Sequence, residues 1–262
     1  MATMGALAVI LARAGSRGVP GKNTRPVAGK PCVRWTIEAA LQAARVHLVC
    51  VSTDDPEIQR LAEGMGVRVV GRPDALATDT ATIDDAARHA VVTIDHALCS
   101  HDHDRAMGVT LDPVVILYGN VPVRPPGLID RALDLCVASS CDSVQSYSPV
   151  GKYHPWWTAR LNAQGCVEPW EGTVLNHGVH RRQDLPPAFI PDGGVLAVRR
   201  AALFLKVAGV EPGPHAFLGK DRRGIRNPEG SVVDIDSPID LAVADAILRD
   251  ANRLVEQPPV RA

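Results

Sequence analysis

The chain has 262 residues, 46% of them apolar and 22% charged, with a formal net charge of −1. That length and composition suit one large α/β domain with a substantial core, and a near-zero charge without a Lys/Arg stripe argues against nucleic acid as the main partner. No apolar stretch approaches the roughly twenty residues of a membrane span, and the short N-terminal apolar segment lacks the preceding basic region of a signal peptide, so a cytoplasmic protein without a membrane partner is expected.

Ala6–Leu11 reads as a buried strand that breaks into Ala12-Arg13-Ala14-Gly15-Ser16-Arg17-Gly18-Val19-Pro20-Gly21-Lys22-Asn23. Cys32–Ala44 has helical periodicity, and His47–Ser52 is a second apolar strand that ends in Thr53-Asp54-Asp55-Pro56, a turn and helix cap ahead of Glu57–Met65. Val67–Val70 is a third strand, Asp84–Leu98 a helix, Pro113–Tyr118 another buried strand and Leu128–Ala138 a helix. This alternation predicts a parallel sheet with crossover helices, whose ligands sit beyond the carboxyl ends of the strands. After Ser143 the pattern turns irregular, with His154-Pro155-Trp156-Trp157 and a Gly/Pro-rich tract over Gly209–Gly230. A final strand at Ser231–Ile235 and a helix over Pro238–Asn252 precede a tail, Glu256–Ala262, expected to fray.

A strand feeding a glycine-rich basic loop suits a phosphate, because glycines let backbone N–H groups approach an anion while Arg and Lys neutralise it. The Walker spacing and the Gly-x-Gly-x-x-Gly fingerprint are both absent, which turns the reading away from the commonest ATPases and dinucleotide binders. The six cysteines, Cys32, Cys50, Cys99, Cys136, Cys141 and Cys166, lack Cys-x-x-Cys spacing and read as small buried hydrophobes. His96, Cys99, His101, Asp102, His103 and Asp104 have no helical His-x-x-x-His frame and read as a solvated loop. The Trp156-Trp157 pair suits a core or dimer contact.

The opening strand and loop, with Pro26-Val27-Ala28-Gly29-Lys30-Pro31 and Trp35-Thr36-Ile37-Glu38-Ala39-Ala40, closely resemble the start of the acylneuraminate (CMP-sialic acid synthetase-like) cytidylyltransferases. Arg72-Pro73-Asp74-Ala75-Leu76-Ala77-Thr78-Asp79-Thr80-Ala81-Thr82 resembles that family's nucleotide-contacting segment, and Thr82 also suits a helix cap. Asp234-Ile235-Asp236-Ser237 resembles its Asp-Ile-Asp-Thr segment, whose carboxylates hold Mg²⁺; residues two apart in a strand share a face, though Asp236 equally suits the cap of the following helix. Tyr118-Gly119-Asn120-Val121-Pro122-Val123-Arg124 departs from the family's Leu-Gln-Pro-Thr-Ser-Pro-Leu-Arg and is similar to a segment of uridylyltransferases acting on hexosamine phosphates. Arg182-Gln183-Asp184-Leu185-Pro186-Pro187-Ala188-Phe189-Ile190-Pro191-Asp192-Gly193-Gly194 resembles the acceptor segment, with Asp192 in place of Asn.

The resemblance implies a single Rossmann-like nucleotidyltransferase domain over residues 1–255, with a mostly parallel, mixed sheet, helices on both faces and a lid or dimer-contact elaboration over roughly 145–230. It implies a Mg²⁺-dependent transfer from CTP to a 2-keto sugar acid. Arg13 and Lys22 would be catalytic, and Leu11, Ala12, Arg13, Gly15, Ser16, Arg17, Lys22, Asn23, Arg72 and Thr82 would bind nucleotide. Tyr118, Asn120, Arg182 and Asp192 would face the acceptor, Asp234 and Asp236 the metal, and a homodimer is the expected assembly. The rival readings are transfer to a sugar 1-phosphate from another nucleotide, and a catalytically weak nucleotide-binding regulator.

Overall fold

The computed structural model describes residues 4–15, 18–99 and 110–256; residues 1–3, Ser16, Arg17, residues 100–109, with His101, Asp102, His103 and Asp104 among them, and the tail from 257 lie outside the described residues. Strand β1 (Met4–Leu11) is apolar throughout because both of its faces are covered. Ala6, Ala8 and Ile10 enter one core layer, while Leu7, Val9 and Leu11 enter the other. A short hairpin, β2 (Pro26–Val27) with β3 (Lys30–Pro31), leads into helix α1 (Cys32–Gln42). β1's alternation recurs in β4 (Val46–Thr53) and β6 (Thr110–Tyr118).

Helices α1, α2 (Pro56–Gly64) and, further along, α4 (Leu128–Ser139) cover the first sheet face with Ile37, Ile58 and Leu133; α3 (Ile83–Cys99) and the short α5 (Arg200–Leu203) cover the second with Val91, Ile94 and Leu203. Each such fully buried side chain contributes roughly 1.5–3 kcal/mol. Helix α2 begins where the sequence predicts: Asp55 accepts the Glu57 N–H at 2.8 Å and Pro56 occupies the first turn.

The sheet also holds β5 (Arg68–Gly71), β7 (Ser143–Pro149), β10 (Phe189–Val198) and β11 (Arg222–Arg226), in the order β11-β7-β10-β6-β1-β4-β5. β10 alone runs antiparallel, pairing with β6 and β7. From β1 the chain winds outward to β4 and β5, then returns to β1's other side as β6. The carboxyl ends of β1 and β6 therefore form the point where the winding reverses, the crevice in which open α/β sheets take ligands.

Two expectations are corrected. The segment Ser231–Ile235 is an extended strap and not a strand: Val233 makes one bridge to Val123, and the Ile235 N–H bonds the Asn120 carbonyl at 2.9 Å. The stretch after Ser143, read as irregular, supplies three strands of the main sheet, β7, β10 and β11. What does project is a hairpin of β8 (Ala159–Leu161) and β9 (Val167–Pro169), with Leu161, Val167 and Trp170 exposed. Trp156 stacks on His177 at 4.8 Å and Trp157 donates to the Val179 carbonyl, so this pair braces the projecting segment from partly exposed positions.

Cys32, Cys50, Cys136 and Cys141 are buried as expected, but Cys99 and Cys166 are exposed. His96 and Cys99 belong to the end of α3 and not to a loop, since the apolar period of that helix continues to Cys99. Among the described residues no helix is long and apolar enough to cross a membrane.

Candidate active site

A small third core holds the site's loops together. Val19 of the glycine-rich loop, Val27 of the hairpin, Val123 after β6, Val233 and Ile235 of the strap and Ala244 of α6 (Pro238–Glu256) pack on one another. The loop meets the strap so closely that a Cβ on Gly18 would stand 2.2 Å from the Asp236 carbonyl oxygen, so only glycine fits there. Gly119, beyond β6, is equally confined: its Cβ would fall 2.8 Å from Ala12 Cβ and 2.9 Å from Asn23 Oδ1.

Between the ends of β1 and β6 lies a cleft of about 170 Å³, lined by Leu11, Arg13, Lys22, Asn23, Arg72, Thr82, Tyr118 and Asn120 among others. Residues predicted from three separate stretches of sequence thus face one space. Gly15 is exposed beside Arg13, and buried Ala12 continues the β1 core beneath the loop.

The cations of the cleft are held by carboxylates. Arg13 reaches across to Asp79 at 2.6 Å and to the Ala77 carbonyl at 3.3 Å, while Lys22 Nζ lies 2.7 Å from Asp236 Oδ1. Asn23 is buried, donates to the Arg13 carbonyl at 2.9 Å, and keeps Oδ1 without a protein partner. Arg72 is buried against Ser52, donating to its hydroxyl and carbonyl; burial lowers its pKa, while Asp54 nearby favours the charge. Thr82 caps α3, accepting the Asp85 N–H at 3.3 Å, so the cap and the cleft wall coincide in one residue.

Asp234 and Asp236 of the strap are not part of the cleft's lining but adjoin it through two residues that are, Asn120 and Lys22. Asp234 is pushed up to about 6 by burial and then by the charge of Asp236. Carboxylates at Asp234 and Asp236 are hard oxygen donors of the kind that hold Mg²⁺, with the remaining coordination left to substrate oxygens and water. Among the described residues, the strap included, no group of three or more His, Cys, Asp or Glu side chains is placed to hold a metal, so this pair supplies two protein ligands at most. Ser237 takes the helix-capping duty that the sequence left open for Asp236: it accepts the Asp240 N–H at 3.4 Å, while Asp240 reaches back to accept from the N–H groups of Ser237 and Asp236.

The acceptor residues separate. Tyr118 lines the cleft, and its phenol is pushed up to about 12 by burial and then by Asp234. Asn120 lines it too, but turns its amide onto Asp234 and Ile235. Asp192 is engaged internally, accepting from the Ser148 hydroxyl at 2.9 Å, the Asn227 amide at 2.8 Å and the Gly194 N–H at 3.0 Å, besides Ser146. Arg182 pairs with Glu229 at 3.0 Å in a second cleft, with His154 and Arg226.

Sequence reasoning left three contributors unassigned. Arg124 is buried, and burial draws its guanidinium down to about 10; it donates to the Gly194 carbonyl at 2.7 Å, the Thr36 hydroxyl at 2.9 Å and the Tyr118 carbonyl, fixing the β6 loop against β10. Its place at the end of the quoted β6 motif was the available signal. Asp54, at the end of β4, accepts the Ala14 N–H at 2.9 Å and holds the glycine-rich loop. Asp79 lies inside a quoted motif, but its partner Arg13 is 66 residues away.

A nucleotide cleft at the reversal point of an open α/β sheet, with facing cations and a carboxylate pair, defines a nucleotidyltransferase. A cytidylyltransferase family model matches residues 7–102. The CMP-N,N'-diacetyllegionaminic acid synthase of Legionella pneumophila is 32% identical over 245 residues, covering 92% of this chain and 95% of that one. An N-acylneuraminate cytidylyltransferase of Streptococcus agalactiae is 30% identical over 191 residues, 72% of this chain but 42% of the relative. In fold, a solved CMP:2-keto-3-deoxy-manno-octonic acid synthetase complexed with CTP matches with a TM-score of 0.64 at 20% identity, over 94% of this chain and 99% of the other. The chain belongs to the acylneuraminate cytidylyltransferase family of nucleotidyltransferases.

Proposed function

We propose that the chain transfers the cytidylyl group of CTP to the anomeric hydroxyl of a 2-keto sugar acid of the sialic, legionaminic or octulosonic type, releasing pyrophosphate and forming a CMP-sugar. The observation that carries this reading is the convergence of Arg13, Lys22, Asn23, Arg72 and Thr82 on one cleft, within the family membership above. In the transfer the anomeric oxygen bonds to the α-phosphorus as the bond to pyrophosphate breaks, with no covalent enzyme intermediate.

Such a reaction is mainly positioning and charge stabilisation. Arg13 and Lys22 exchange their carboxylate partners, Asp79 and Asp236, for phosphate oxygens and offset the charge that builds on the α-phosphate and the leaving group. Arg72 and Thr82 hold the nucleotide against the β4 side, and Asn23 Oδ1 is an acceptor open to it. Asp234 and Asp236 would hold Mg²⁺, which when bound neutralises triphosphate charge. Tyr118 faces the acceptor from the end of β6.

The reading includes a homodimer, supported by the exposed apolar side chains of the projecting segment, Leu161 at 72% and Trp170 at 54% exposure among them, and a cytoplasmic location, where CTP is made. The test is turnover by Arg13→Ala and Lys22→Ala beside the parent. Each loses about 10²–10³-fold in kcat with the melting temperature retained. Parent-like turnover in both would overturn the assignment of the cleft.

A further inference from the structure

The β6 loop differs from the family's pattern at Asn120, and the structure gives that residue a partner no motif announces. Its side-chain amide donates to Asp234 Oδ1 and, at 3.2 Å, to the Ile235 carbonyl; its own carbonyl accepts the Ile235 N–H at 2.9 Å. Three hydrogen bonds from one residue thus bind the β6 loop to the strap across 114 positions of sequence. The second oxygen of Asp234 lies beside Gly193, where a Cβ would stand 3.3 Å from Asp234 Oδ2 and 3.5 Å from the Tyr118 ring. Glycine at 193, with φ +74°, leaves that oxygen uncrowded.

We infer that Asn120 is a positioning residue for Asp234, its amide fixing one carboxylate oxygen so that the other is presented to a divalent cation. The inference rests on the proposed Mg²⁺ role of Asp234 and Asp236. An amide suits the task where a carboxylate does not. It donates instead of repelling, so the strap keeps two facing charges, Asp234 and Asp236, rather than three. Partners of this kind fix the orientation of a ligating group, and their loss typically costs 10–100-fold in metal affinity.

The experiment is calorimetric, on the full chain without acceptor, so that no turnover occurs. The dissociation constant for CTP is measured in EDTA and again in Mg²⁺, and their ratio reads the coupling between cation and nucleotide. In Asn120→Ala the Mg²⁺ enhancement, taken as the ratio of that variant's own two constants so that any change in metal-free binding cancels, is expected to fall about tenfold. Asn120→Asp is expected to raise the enhancement, because an added charge and oxygen donor strengthen a hard-cation site. Opposite signs from one position are not what a loosened loop would give. Enhancement unchanged in Asn120→Ala, or a fall in both variants, overturns the inference; should the alanine variant fail to fold, the near-isosteric aspartate variant decides alone. Asp234→Asn serves as the reference. If it too keeps the full enhancement, the metal reading falls; if it loses the enhancement while Asn120→Ala retains it, only the positioning role does.

Discussion

Asp234 stabilises no fold by its charge; it costs the fold stability. Its carboxyl is pushed up from 3.8 to about 6 by burial and by Asp236. A shift of about two pH units corresponds to on the order of 3 kcal/mol of destabilisation from the ionised form at neutral pH. The folded state holds this proton more tightly than the unfolded chain, so the destabilisation is absent below about pH 4, grows as pH rises to about 6 and is fully present above that. Asn at 234 keeps the shape and still accepts from Asn120, without the charge. In metal-free buffer at pH 7.5, Asp234→Asn is therefore expected to melt several degrees above the parent, at roughly 2–4 °C per kcal/mol. The advantage shrinks toward nothing at pH 4. Thermal melts of both proteins across that range are the assay, with Mg²⁺ and CTP added in a second series that raises the parent more than the variant. A variant no more stable than the parent at pH 7.5, or an advantage that ignores pH, would refute the reasoning.

Three further substitutions probe the supports of the cleft. Gly18→Ala puts a Cβ 2.2 Å from the Asp236 carbonyl oxygen, and the forced shift is expected to cost about 1–3 kcal/mol in denaturant unfolding and to weaken CTP binding in calorimetry. Arg124→Met leaves the carbonyls of Gly194, Tyr118 and Val121 and the Thr36 hydroxyl short of a donor; a loss of about 3 kcal/mol or more is expected by urea unfolding, with Arg124→Lys recovering part of it. Asp79→Asn releases Arg13 from an exposed pair worth less than about 1 kcal/mol, so stability should hold while the dissociation constant for CTP falls.

The parallel half of the fold was legible because its strands are buried on both faces and its helices carry a clear period. β7, β10 and β11 were not. β7 (SVQSYSP) is polar for a strand, β10 is broken by Pro191, Gly193 and Gly194 with a register shift after Pro191, and β11 (RRGIR) is a charged edge. Conversely, Val232, Val233 and Ile235 read as a strand because they are apolar, but Val233 and Ile235 fill the small core under the glycine-rich loop while Val232 packs against the main core. At the site, motif residues at strand ends were readable one segment at a time. Pairings between segments were not: Asn120 with Asp234 and Arg13 with Asp79 join residues more than sixty positions apart, and no local pattern encodes them.

The most direct measurement of the central claim is pyrophosphate release by the purified chain with Mg²⁺, each of the four nucleoside triphosphates, and a panel of eight- and nine-carbon keto sugar acids and hexose 1-phosphates. Release with CTP and a keto acid alone is the predicted result. Release confined to another nucleotide with a sugar phosphate would contradict it and return the assignment to the Tyr118-Gly119-Asn120 segment.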